Sequence, residues 1–195
     1  MNDAKSATRT GRRIPGEPGI WFLLTGDLFV FTTFFSTYLY YRAFDAETYA
    51  LSQANLSPAF GTINTIVLLT SSLLAALAVE AIRQGHSEKS PRLFAGAIAT
   101  GVLFVVVKAF EWSAKIETGI YPTTNEFYMY YYMFTGIHLI HVLAGIGLLM
   151  LVFRDAQGPS VNEPETVRWI EVAATFWHLV DLLWIIIFAL LYVVH

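Results

Sequence analysis

Apolar residues in this chain gather into five long runs parted by short polar stretches. The runs cover residues 19–41, 59–82, 93–116, 127–153 and 169–194. Each is long enough for a helix rising 1.5 Å per residue to cross a hydrocarbon layer about 30 Å thick. The pattern is neither the alternation of a half-buried strand nor the narrow stripe of a soluble amphipathic helix. It predicts an all-α fold, a polytopic membrane protein built as a bundle of five transmembrane helices. Pro18, Pro58 and Pro91 stand at the starts of the first three runs, where a missing N–H is harmless. The stretches DAETYALSQANLS, RQGHSEKSP, ETGIYPTTNE and RDAQGPSVNEPETVR read as connections, each too short for a domain. The expected organisation is therefore a disordered arm over 1–17 followed by one membrane domain over 18–195.

Charge sets the orientation of these spans. Lys5, Arg9, Arg12, Arg13, Arg83, Lys89, Arg92, Arg154 and Arg168 fall on one side of a five-span topology, and Arg42 and Lys115 on the other. Basic residues favour the cytoplasmic side, so the expected N-terminus is cytoplasmic and the C-terminus outside. The arm has no short apolar segment with a cleavage site, so it is expected to be retained. Composition agrees with a membrane protein, with 55% hydrophobic and 14% charged residues. Cysteine is absent, which removes disulfides, thiolate zinc sites and iron–sulfur clusters. A net charge of -3 with no extended basic tract leaves no case for nucleic acid as a partner.

Ionisable side chains inside the runs are the candidate chemistry, because each is costly in hydrocarbon and survives there only with a partner or a task. Asp27 lies in the first run, with no basic residue within a turn of it in its own span. Lys108 and Glu111, three apart in KAFEW, share a helix face in the third. His138 and His141 are likewise three apart in TGIHLIHVLAG. Glu171, His178 and Asp181 belong to the fifth run, with Glu171 and His178 two turns apart on one stripe.

Two readings of these residues stand side by side. In one, imidazoles and carboxylates from neighbouring helices hold a metal or haem. In the other they hydrogen-bond between helices, with Lys108 and Glu111 as a buried ion pair. A membrane metalloenzyme follows from the first reading, and a proton-coupled transporter from using Asp27, Lys108 and Glu111 as a relay. The absence of internal repeats argues against the transporter. The tyrosine-rich stretch over 127–134 reads as an interface belt at the outer boundary. Asn64, Thr65, Thr70, Ser71 and Ser72 read as interhelical hydrogen-bonding residues.

In order along the chain, GDLFVFTTFF, INTIVLLTSS, KAFEW, TGIHLIHVLAG and EVAATFWHLVDLLWIIIF resemble subunit III of the haem–copper oxidases. The resemblance runs from about Pro18 onward and implies a non-redox accessory subunit in a bacterial inner membrane. Such a subunit carries no cofactor or metal of its own, and haem with copper or iron belongs to the catalytic partner. The family is associated with stabilising that subunit, supporting its proton uptake and holding phospholipid. Asp27 falls where the family carries a carbodiimide-reactive carboxylate. Lys108, Glu111, His138, His141, Glu171, His178 and Asp181 fall to an intramembrane polar network. The chain looks like the short form, without the first two of seven spans. Lys108, with YLYYRAF and NEFYMYYYMFTGIHLIH, is more similar to the NorE-like members linked to nitric oxide reductase and denitrification.

Overall fold

A backbone in lipid must satisfy its own hydrogen bonds, and this chain does so with helices. The computed structural model describes residues 18–194, apart from the side chains of residues 18–21, 23 and 24. The expected arm over 1–17 lies outside the described residues. The helices are α1 (Pro18–Phe44), α2 (Ala46–Ala54), α3 (Pro58–Arg83), α4 (Ser90–Glu117), α5 (Glu126–Asp155) and α6 (Pro164–Phe188). A single 3-10 turn, Ser87–Lys89, precedes α4, and a π-turn, Ala189–Val193, continues α6. No strand occurs among the described residues.

Four helical stretches among the described residues are long and apolar enough to cross a membrane: Pro58–Arg83, Ser87–Glu117, Glu126–Asp155 and Pro164–Val193. They coincide with four of the expected spans. The remaining expected span, 19–41, folds as α1, a helix of 27 residues whose opening side chains lie outside the described set.

Helices α3 to α6 form a ring in which each packs on the next and α6 closes back onto α3. Association in lipid depends on close packing rather than on hydrophobic burial, so small residues and large rings must match. Trp177 of α6 fills the space left by two glycines. A Cβ on Gly145 would stand 2.6 Å from its ring, and one on Gly101 would stand 3.0 Å away. Helix α1 leans on this ring through aromatic contacts with α5, Phe35 to Phe134 at 5.3 Å and Tyr38 to Tyr130 at 5.6 Å between centroids.

Two helix ends are set by glycine. After α3 and α4 the chain turns through Gly85 (φ 78°) and Gly119 (φ 80°), the left-handed region where a side chain would be strained. In each case the next amide reaches back over the last turn, His86 N–H to the Ala81 carbonyl at 2.8 Å and Ile120 N–H to the Lys115 carbonyl at 3.0 Å. Both are Schellman closures.

The segment DAETYALSQANLS, expected as a plain connection, contains α2. Asp45 caps it by accepting from the Thr48 N–H at 3.3 Å. Its inner face is polar as well as apolar: Tyr49, Ser52 and Gln53 are all buried. Asn125 donates to Ser52 Oγ at 2.8 Å and Tyr128 donates to the Ser52 carbonyl at 3.2 Å. Gln53 donates to the Val194 carbonyl at 2.9 Å. A nine-residue helix of mixed polarity has too few turns to impose a period on the sequence, so its contacts rather than its pattern decide its shape.

Candidate functional site

The sequence-derived candidates fall into three separate places rather than one. The most buried lies towards the ends of α4 and α6. Lys108 Nζ and Glu111 Oε2 form an ion pair at 2.8 Å, with side chains 1% and 2% exposed. Tyr131 of α5 donates to Glu111 Oε1 at 2.8 Å, and Tyr192 of the π-turn donates a short bond to the same oxygen. Lys108 also donates to the Tyr192 hydroxyl at 3.2 Å. Its ammonium lies 4.8 Å from the Trp184 ring centroid and 5.3 Å from that of Tyr131. Both carboxylate oxygens are therefore occupied, and the ammonium is enclosed by hydrogen bonds and aromatic faces, the conditions under which a buried ion pair is tolerable.

Tyr131, Tyr192 and Trp184 were not candidates. Tyr131 corrects the interface-belt reading of 127–134: Phe127, Tyr128, Tyr130, Tyr131 and Phe134 are all buried within the protein. The stretch is an aromatic seam facing α1, α2 and α4. A tyrosine is equally suited to a wet boundary and to a buried carboxylate, so the sequence alone does not separate the two.

His138 and His141, three apart on α5, part company in space. His138 is fully buried with its ring 5.6 Å from Phe104 and 5.3 Å from Trp184, and neither ring nitrogen has a hydrogen-bond partner among the described residues. His141 faces α1. Its Nδ1 donates to the Ile137 carbonyl at 2.9 Å, and its Nε2 stands 3.5 Å from Asp27 Oδ2. Asp27 has no basic residue within a turn in its own span, and its neighbour comes from another helix. With Nδ1 committed to a carbonyl, Nε2 is the ring nitrogen turned towards the carboxyl. The pair is also accessible at the protein surface, at 25% for Asp27 and 20% for His141.

The third place is between α3 and α6. His178 Nδ1 lies 2.6 Å from Ser72 Oγ, a hydroxyl across the interface between α3 and α6. Asp181 is buried with Oδ1 unpartnered among the described residues. Glu171, nearer the start of α6, pairs with Arg83 of α3 at 2.8 Å. Among the described residues no group of three or more His, Asp or Glu converges in a way that could hold a metal ion. Glu171 and His178 share one groove, as their spacing suggested, but Arg83 and Ser72 supply their partners.

Comparison with known proteins bears on the chain as a whole. The family model described as cytochrome c oxidase subunit III matches residues 16–195. A protein from Synechocystis sp. named cytochrome c oxidase subunit 3 is 28% identical over 174 residues, covering 89% of this chain and 73% of its own. One of the same name from Alkalihalophilus pseudofirmus is 28% identical over 203 residues, covering 95% and 96%. A protein from Aeropyrum pernix named heme-copper oxidase subunit I+III is 23% identical over 180 residues, which is 90% of this chain and 22% of that one.

Proposed function

Because this chain belongs to the cytochrome c oxidase subunit III family, we propose that it is an accessory, non-redox subunit of a respiratory haem–copper complex. In this reading its bundle binds and stabilises the catalytic subunit, which carries the haem and copper or iron. The observation that carries the reading is the distribution of the ionisable groups. The Lys108–Glu111 pair is enclosed by tyrosines, while His138, His141 and His178 face three different neighbours. Residues arranged in this way tie helices together rather than assemble a reaction centre. The name of the Aeropyrum relative, which joins subunits I and III in one protein, supports a catalytic subunit I as the partner.

The finer reading has α1 as a fifth span, an N-terminus on the cytoplasmic side of a bacterial inner membrane and a C-terminus outside. Asp27 supports proton supply to the partner, on the strength of a carboxyl and an imidazole 3.5 Å apart on an accessible surface. Lys108 and the accompanying motifs favour the NorE-like branch, with nitric oxide reductase as the partner in denitrification. Membrane lipids complete the surroundings.

Affinity capture of the chain in mild detergent, with an optical spectrum of the co-purified material, tests the reading. A haem-bearing partner is expected. Capture of no haem protein, together with stoichiometric iron, copper or zinc in the isolated chain, would favour the metalloenzyme instead. In the captured complex, replacing Asp27 with Asn should leave assembly intact and lower turnover; unchanged turnover would reduce Asp27 to packing.

A further inference from the structure

Four fully buried residues, one from each helix of the ring, share a level inside it: Asn64, Phe104, His138 and Trp184. The register of α3 against α4 is fixed where Ser71 donates to the Ala97 carbonyl at 2.6 Å. Seven positions back along α3 and seven forward along α4, at equal rise, bring Asn64 level with Phe104. The Phe104 ring lies 5.6 Å from His138 of α5 and 4.9 Å from Trp184 of α6, and those two rings are 5.3 Å apart. Trp184 Nε1 donates to Thr65 Oγ1 at 3.0 Å, which places α3 at this level a second time, since Thr65 adjoins Asn64.

This level holds more hydrogen-bonding capacity than its residues use on one another. Neither the amide nitrogen nor the amide oxygen of Asn64, and neither ring nitrogen of His138, has a partner among the described residues. Lys108, one turn along α4 from Phe104, donates to Glu111 and Tyr192 and has a third N–H; its ammonium lies 4.8 Å from the same Trp184 ring that His138 flanks. Polar groups so deeply buried are costly unless something satisfies them. Whatever does so must both donate and accept, because an amide and a neutral imidazole each offer one function of each kind. It must be small, since the four surrounding side chains are closed to solvent. It must also be neutral: Lys108 and Glu111 already balance, so a metal cation would face the ammonium and an anion the carboxylate. An apolar guest would leave all of these groups unpaired. Water meets each condition.

We propose that this level of the ring is a water-binding site, in which bound water bridges Asn64 and His138 and accepts from the third N–H of Lys108. Asn64 and His138 belong to α3 and α5, which stand diagonally opposite in the ring, so the water ties together the two helices that neighbour-to-neighbour packing leaves unjoined. The site is independent of the accessory-subunit reading, and is separate from Asp27 and His141.

X-ray radiolysis of the full chain in detergent, read by mass spectrometry, tests this, because water ionised where it is bound oxidises the side chains beside it whether or not they are exposed. Trp184 and His138 should be oxidised in the wild-type chain, a result that needs no variant. Asn64→Leu combined with His138→Phe replaces both polar groups with apolar ones of similar shape. That double variant should lose the oxidation of Trp184 and leave Trp177, two turns away on α6, as it was. His138→Gln, which keeps a donor and an acceptor, should retain the oxidation. Thermal unfolding gives an independent reading. Groups that share a water are coupled, so Asn64→Leu and His138→Phe should each lower the unfolding temperature and the double variant should fall little further. Groups without any partner are relieved by apolar replacement, and each single variant would then unfold at a higher temperature. An inert Trp184 in the wild-type chain, oxidation unchanged in the double variant, or an upward shift in both single variants would overturn the proposal.

Discussion

Lys108 illustrates what a charge needs at membrane depth. Its pairing with Glu111 was legible from their spacing of three, which places both on one helical face. The rest of its environment was not, because Tyr131 and Tyr192 are 20 and 81 positions from Glu111 and meet it only through packing. This division leads to an asymmetric mutational outcome. Lys108→Met alone leaves a dry carboxylate without its cation and should destabilise the protein by about 3–5 kcal/mol. Lys108→Met combined with Glu111→Leu removes both charges and should recover much of that loss, since an apolar pair of similar volume can replace a buried ion pair. Thermal unfolding in detergent measures both. A double variant no more stable than the single one would mean that the tyrosines, not the ion pair, dominate the site. Asp27 follows the same logic with a different result: its isolation holds within its own span and ends at His141, which only the approach of α5 to α1 reveals.

At the level of helices, glycine identity says little until the neighbour is known. Gly145 and Gly147 are two apart in LAGIGLL, and both read as small residues that admit a neighbouring helix. In the structure they differ sharply. A Cβ on Gly145 would meet Trp177 ring atoms at 2.6 and 2.8 Å, whereas nothing lies within 4 Å of one on Gly147. Gly145→Ala should therefore cost about 1–3 kcal/mol through overpacking and displace α6 from α5. Gly147→Ala should be close to neutral. The measurement is the shift in unfolding temperature of each purified variant, and equal shifts would show that the Trp177 contact does not govern this helix pair. The same scale explains α2. Its boundaries depend on Asp45 capping and on Ser52 and Gln53 bonding to other elements, so an inspection of its thirteen-residue segment for hydropathy registers only polarity.

Across the whole molecule, the lopsided distribution of Lys and Arg leads to a topological prediction. A reporter fused after His195 should be active on the outer side of the membrane, as it must be with five spans and a cytoplasmic N-terminus. Cytoplasmic activity would leave four crossings and lay α1 elsewhere. Much of the large-scale organisation was already determined by the sequence, because a membrane imposes a simple rule: a run of about twenty apolar residues has to bury its backbone polar groups, and a helix does so locally. That rule needs no knowledge of neighbours, and it accounts for the helical class, for the four spans at α3 to α6 and for their separation by short connections. Which polar groups meet was decided only by the tertiary structure. Lys108 with Tyr192, Asp27 with His141, His178 with Ser72 and Glu171 with Arg83 are pairings whose hydrogen bonds or ion pairs depend on how helices lean and rotate against one another. Helix rotation follows from the fit of Trp177 against Gly101 and Gly145 and of Phe188 against Gly61, contacts between residues remote in the chain that no local period encodes.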